Sequence, residues 1–337
     1  MGDRIISMSQ SEIFKILAIT LILGTLIALI LGPIAIPILR RLKFGQNIRE
    51  EGPKSHLKKA GTPTMGGLTF VISITVALLL ALIYGHLFDD TSGAYPILSC
   101  LVYSLLNASI GFIDDLTKLK RKKNAGLTPR QKLVLQFICS GLFLAARAVI
   151  LDEGTSVSFS FGEIDLGIFY YFISLIILVG ITNCANLTDG IDGLASTVAF
   201  GIGISLFYVS YYRSSTASII CISLAGAAVG FLIFNVHPAK VFMGDTGSLF
   251  FGSLVASLAF EMKNPFVAVI SGGVYVIEGI SVILQVIVYK LTKKRIFKMA
   301  PLHHHLEKSG YDENKICICA LILTIILALP VVLICVK

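Results

Sequence analysis

Ten apolar runs, most of them about as long as a bilayer's hydrocarbon core, dominate this chain and restrict what it can fold into. A helix needs about 20 apolar residues to cross that core. A window of about 19 residues finds runs near 12–39, 66–85, 95–113, 132–151, 168–185, 194–212, 216–236, 247–262, 265–289 and 316–336. The eighth is short, and the ninth is long enough to tilt or bend. Gly32, Pro33 and Pro37 are expected to kink the first, because each proline removes a backbone donor and crowds the preceding turn. Of the 337 residues, 55% are hydrophobic and 14% charged, whereas ordinary soluble domains carry about 25% charged residues. The expected fold is therefore an all-α polytopic membrane protein of about ten transmembrane helices, forming one domain over residues 1–337. Disordered, collagenous and disulfide-knotted classes are excluded. The run Ile13–Leu39 is too long for the core of a cleavable signal and reads as a retained span. Seven cysteines, an odd number without zinc-like spacing, fit small buried hydrophobes better than a disulfide framework.

Charge gives the runs an orientation. If ten helices alternate, 22 of the 28 lysines and arginines fall on one side, in the segments after the first, third, seventh and ninth runs. That side is expected to be cytoplasmic, with both termini outside. A net charge of +8 then reports orientation rather than nucleic-acid binding. On the opposite side, residues 157–166 alternate in VSFSF and IDL around Gly162 and Glu163, which reads as a small external β-hairpin with a glycine-first turn.

The polar residues left over gather in the basic loops. Asp114 and Asp115 end the third run. Adjacent carboxylates at a membrane boundary need a cation, a proton or a lysine, and Lys118 stands at helical spacing from both. In TNCANLTDGIDGLA, Asn183, Asn186, Asp189 and Asp192 recur every third residue and are expected to share a helical face that converges on one ligand; an Asx-rich turn is the plainer alternative. In FNVHPAKVFMGDTGS, Asp245 precedes an apolar run and reads as an N-cap, at a helix start where phosphate is also favoured. Gly244 and Gly247 leave room for its oxygens, and Asn235 offers an amide nearby. Three histidines, His303, His304 and His305, diverge by about 100° each on a helix, so at most two can ligate one ion. With oxygen ligands close by, Mg²⁺ fits better than zinc, and histidine fits a phosphate donor or proton carrier. Lys59 and Thr64 can face phosphate from the first loop. Glu278 and Gln285, seven residues apart in the ninth run, read as an internal hydrogen-bonded pair.

Polar groups at one boundary rather than at the midplane favour an enzyme with a cytosolic polar substrate and a membrane-borne one over a transporter. Carboxylates, Mg²⁺ and basic residues together point to phosphoryl chemistry. The strings GPKSHLKKAGTPTMGG, GFIDDLTK, NLTDGIDGLA, FNVHPAKVFMGDTGS and PLHHHLE, in that order, span essentially the whole chain. By them the chain closely resembles the polyprenyl-phosphate N-acetylhexosamine-1-phosphate transferases, on the branch that uses UDP-MurNAc-pentapeptide. The resemblance implies transfer of phospho-MurNAc-pentapeptide to undecaprenyl phosphate, giving lipid I and UMP, with Mg²⁺ as cofactor, in a bacterial plasma membrane. It implies Asp114, Asp115, Asp245 and His303 to His305 as catalytic residues and Asp245 as the metal ligand. Lys59, Thr64, Lys118, Lys122, Arg130, Asn186, Asp189, Asp192, Asn235 and Gly244 are implied at the substrates. A homodimer is a further family expectation. A UDP-GlcNAc transferase of the same superfamily and a lipid or ion transporter are the competing classes.

Overall fold

The computed structural model describes residues 9–42, 59, 61–85, 91–121, 126–211 and 215–335. Twelve helices appear among them in chain order: α1 (Gln10–Arg41), α2 (Gly67–Tyr84), α3 (Thr91–Arg121), α4 (Pro129–Ile150), α5 (Ile168–Thr188), α6 (Leu194–Ser210), α7 (Ser215–Asn235), α8 (Gly244–Glu261), α9 (Phe266–Ser271), α10 (Gly273–Thr292), α11 (Leu302–Glu307) and α12 (Glu313–Cys335). Every apolar run of the sequence is helical. Eight of these helices, namely α1 to α5, α7, α10 and α12, are long and apolar enough to cross a membrane. The sixth run gives the shorter α6. The ninth breaks at Gly272 into α9 and α10 instead of bending. Helix α1 continues through Pro33 and Pro37.

Local chemistry starts several helices. Ser9 and Glu12 form a capping box at α1, and Thr128 and Gln131 form another at α4, where Pro129 fills the first turn. The centre of the molecule is α8, whose residues Thr246 to Phe260 are all buried. Helices α2, α3 and α5 pack around it. Because no face of α8 meets solvent or lipid, its serines turn back on the helix: Ser253 Oγ donates to Leu249 O at 2.6 Å and Ser257 Oγ to Leu254 O at 3.1 Å. Phe70 of α2 stacks on Phe251 at 4.0 Å.

Helix α8 connects two polar ends. From Asp245 to Glu261 it rises about 24 Å at 1.5 Å per residue, close to the hydrocarbon thickness. At the Glu261 end, buried Arg147 of α4 reaches Glu261 Oε1 at 2.5 Å, pairs with Glu153, and lies over the Phe143 and Phe260 rings. Near that end strands β1 (Ser156–Phe159) and β2 (Gly162–Asp165) form the expected antiparallel hairpin. Its turn, however, is Ser160–Phe161, with Phe159 opposite Gly162. The turn thus lies two residues before the expected Gly162–Glu163. The hairpin is pinned from outside by Ser158 N donating to Lys263 O at 2.9 Å and Ser160 N to Ile334 O at 2.6 Å, contacts that alternation alone does not encode.

Candidate active site

At its other end α8 begins with Gly244 at φ +75°, a left-handed conformation that favours glycine. A Cβ there would meet Asp115 Oδ2 at 2.9 Å and Thr64 Oγ1 at 3.0 Å. The loop before it is held by the segment ahead of α2: Phe242 N donates to Pro63 O at 2.8 Å, and Gly66 N to Phe242 O at 2.9 Å. Thr64 thus stands beside the α8 start. Gly111 of α3 lets that helix approach closely, since a Cβ on it would sit 2.3 Å from Asp245 O. One helical turn later comes Asp115.

Asp115, not Asp245, caps α8. Its Oδ2 accepts from Thr246 N at 2.9 Å and Thr246 Oγ1 at 2.7 Å, and its Oδ1 accepts from Asp245 N at 3.2 Å. The N-cap reading of Asp245 is therefore corrected: the residue lies within the first turn, and the orphan amides are satisfied across the bundle by a carboxylate from α3. Asp245 is left with its side chain facing cations and an amide. Its Oδ2 lies 3.0 Å from Lys118 Nζ and 2.5 Å from Lys132 Nζ, and its Oδ1 accepts from Asn186 Nδ2 at 3.2 Å. Asp114 shares both lysines, at 2.6 Å from Lys118 and 3.3 Å from Lys132, while its Oδ1 accepts from Leu127 N at 2.6 Å. The expected local pair of Asp114 with Lys118 is thus one part of a larger network. Oxygens of Asp114, Asp115 and Asp245 all lie within 4.8 Å of one another.

The repeat of Asn183, Asn186, Asp189 and Asp192 does not converge. Helix α5 ends at Thr188, so the last two acids leave the helical face on which their spacing had been read. Asn183 Nδ2 turns to Gln136 Oε1 at 2.7 Å, and Asn186 Nδ2 to Asp245 and to Ser248 Oγ at 2.8 Å. Asp192 belongs to a second cluster: its Oδ1 lies 2.8 Å from Lys59 Nζ, its Oδ2 lies 3.0 Å from His237 Nδ1, and Glu313 Oε1 lies 2.8 Å from the same Lys59. Asp192, His237 and Glu313 have metal-like spacing, and the Lys59 ammonium bridges the two carboxylates. Asp189 is the electrostatic link between the clusters. Burial, followed by the Asp245, Asp115 and Asp192 carboxylates, pushes its carboxyl well above the ordinary range, and Lys118 offsets this only in part.

Other expected site residues are placed differently. Asn235 is buried and spends its amide on structure, accepting from Ser196 Oγ at 3.1 Å and donating to Val241 O at 3.0 Å. Arg130 is exposed in the first turn of α4 and is not brought to either cluster, whereas Lys132, two residues on, is. Lys122 lies outside the described residues. The three histidines do not share one ligand direction: the His303 and His304 rings lie against each other with centroids 4.3 Å apart, and His305 turns away to the Phe297 ring. His303 is fully buried, its Nδ1 3.1 Å from Glu278 Oε2 and its ring against Gly190; His304 Nδ1 lies 3.1 Å from Glu307 Oε2; His305 Nδ1 accepts from Lys298 N at 3.1 Å. The expected Glu278–Gln285 pair does not form, because Gln285 Oε1 instead accepts from Ile296 N at 3.2 Å and Phe297 N at 3.0 Å. Lys132, His237, Glu278 and Glu313 are the residues that sequence reasoning missed as site members. Only Glu278, a lone carboxylate in an apolar run, carried a signal.

Residues 97–263 match the model of glycosyl transferase family 4, and residues 59–71 match signature 1 of the phospho-N-acetylmuramoyl-pentapeptide-transferases. The chain is 45% identical over 319 residues to a phospho-N-acetylmuramoyl-pentapeptide-transferase of Clostridium perfringens, covering 94% of this chain and 96% of that one. It is 46% identical over 312 residues to the Bacillus subtilis protein of the same name, covering 90% and 93%. The Halalkalibacterium halodurans protein of that name is 46% identical over 308 residues. The matched signature begins at Lys59 of the second cluster, and the longer match contains all three acids of the first.

Proposed function

The chain belongs to the phospho-N-acetylmuramoyl-pentapeptide-transferase family, and from that premise we propose that it transfers phospho-MurNAc-pentapeptide from UDP-MurNAc-pentapeptide to undecaprenyl phosphate, forming lipid I and releasing UMP. The observation that carries this reading to the chemistry is the meeting of Asp114, Asp115 and Asp245 with Lys118 and Lys132 at the start of a buried helix. Such a set can handle a diphosphate: positioned cations neutralise phosphoryl oxygens, and a carboxylate remains to manage a proton. In the orientation we propose, ten spans alternate, both termini lie outside, and the site faces the cytoplasm of a bacterial cell membrane. A homodimer is part of the same proposal.

Mg²⁺ fits the donor set, because three hard carboxylate oxygens within 4.8 Å of one another suit it and no thiolate lies among them. Asp245 would hold the ion, since both oxygens of Asp115 are engaged by α8 and Asp114 is left for the lipid phosphate. When bound, it would supply charge neutralisation and polarisation at the phosphoryl oxygens. The residues of the chain account for the rest. Asp114 orients the lipid phosphate or takes its proton, so that a phosphate oxygen attacks the sugar-linked phosphorus of the donor. The bond from that phosphorus to the bridging oxygen breaks, and UMP leaves with the bond's electron pair. Lys118 and Lys132 balance charge around Asp114 and Asp245. The three donors on Asp115 favour this direct displacement over a covalent route through that carboxylate.

The test is UMP release by purified protein supplied with both substrates, with and without Mg²⁺, repeated on Asp245→Asn. Release only with UDP-MurNAc-pentapeptide, dependent on Mg²⁺ and lost in the variant, is expected. Turnover of UDP-GlcNAc instead would assign the donor to the related branch, and undiminished turnover in Asp245→Asn would overturn the metal assignment.

A further inference from the structure

Glu313 opens α12 and is buried, yet all its described partners lie on other elements. Its Oε1 lies 2.8 Å from Lys59 Nζ and 3.4 Å from His237 Nδ1, and its Oε2 accepts from Asp192 N at 2.9 Å. One turn further along α12, Cys317 Sγ donates to Asp192 O at 3.3 Å. Helix α12 therefore grips the turn that carries Asp192 at both its amide and its carbonyl. The same carboxylate holds Lys59, 254 positions away in sequence.

The electrostatics make this grip consequential. The Lys59 ammonium is largely withdrawn from solvent, with its side chain 12% exposed, and its described partners are Asp192 and Glu313. A largely desolvated cation stays where its counter-charges fix it. Removing one of the two carboxylates leaves Lys59 tethered to Asp192 alone and deprives the buried Asp192 amide of its acceptor, two losses that both fall on residues assigned to substrate binding.

We propose that Glu313 is a positioning residue for the nucleotide-sugar donor, acting by fixing Lys59 and the Asp192 turn. This rests on the proposed transferase reading. Glu313 itself need touch no reacting atom: its contribution is that Lys59 and Asp192 are already in place when the donor arrives, so less ordering is required on binding. Its effect therefore falls on donor affinity more than on the chemical step.

The experiment uses the full chain in detergent micelles. Donor KM, lipid-phosphate KM and kcat are read from UMP release, donor Kd from calorimetry with UDP-MurNAc-pentapeptide, and stability from thermal unfolding. Glu313→Gln keeps an acceptor for the Asp192 amide but loses the charge on Lys59. It is expected to raise donor KM and Kd about tenfold, the weight of one charge-assisted contact, with kcat, lipid KM and the thermal midpoint close to wild type. Glu313→Asp is expected to recover part of the loss. Unchanged donor KM and Kd in Glu313→Gln would overturn the proposal, as would a proportional loss in kcat and both KM values with a fallen midpoint. If the wild-type protein released no UMP, the transferase reading would fail by itself, and donor Kd would still decide this point: tight wild-type binding weakened by Glu313→Gln supports it, and no wild-type binding refutes it.

Discussion

Asp115 offers the sharpest division between a group that does chemistry and one that holds the machinery in place. Its two oxygens accept three donors from the first turn of α8, at 2.7, 2.9 and 3.2 Å. Hydrogen bonds to a charged group contribute about 1.5–3 kcal/mol each, and neutral ones about 0.5–1.5. Asn at this position can present one oxygen and one NH₂. If the oxygen stays with Thr246, two bonds weaken by about 1 kcal/mol each and the Asp245 amide faces another donor. The total, about 3 kcal/mol, is on the order of a 10²-fold loss in kcat/KM if the displacement of α8 is felt fully by Asp245. Thr246→Val removes only the hydroxyl donor and is expected to cost about tenfold. Because the two substitutions remove a shared interaction, the double variant should lose about 10²-fold rather than the roughly 10³-fold of independent sites. The assay is UMP release at saturating lipid, with kcat/KM for the donor measured for all four proteins. A loss above about 10⁴-fold in Asp115→Asn, with Thr246→Val at wild-type activity, would refute the capping argument and return Asp115 to direct chemistry.

The other predictions concern the rest of the frame. Arg147→Met leaves Glu261 buried without its cation and should destabilise the protein by about 3–5 kcal/mol, read from unfolding in detergent; an unchanged transition would show that the network at that end is not structural. Gly190→Ala would put a Cβ 2.1 Å from His303 Nε2, so the histidine or the turn must move, and UMP release should fall at least about tenfold; wild-type activity would mean that this contact is dispensable. Asp189 favours its neutral form in the folded protein, so as pH rises from its ordinary value of 3.8 toward its raised folded value, ionisation costs stability. Asp189→Asn should therefore raise the thermal midpoint in EDTA at pH 7, with the gain shrinking toward pH 4; a gain independent of pH would contradict the burial argument.

Much of this protein is legible in its sequence because the relevant physics is local. A helix that must satisfy its own backbone in lipid announces itself as an apolar run, and all ten runs are helical. The acids of the first cluster and Lys118 were legible too, since scarce polar groups at the edges of such runs have few uses, whereas Lys132 was one basic residue among many in its loop. Local period failed where an element ended. The threefold spacing through Asp189 and Asp192 meant a common face only while α5 continued, and it stops at Thr188. The hairpin turn moved to Ser160–Phe161 because its register is set by Lys263 and Ile334, residues far along the chain.

What the sequence by itself determined was the class of fold, its helical segments and the loops in which the scarce polar residues gather. Tertiary structure alone decided which carboxylate does what. Asp115 became the cap of a helix that begins 129 positions later, Glu278 turned to His303 rather than to Gln285, and Glu313 came to hold Lys59. Each of these acids was visible as a charge that had to be satisfied. Its partner was not, because satisfaction of a buried charge depends on which elements meet in space, and no local periodicity carries that information.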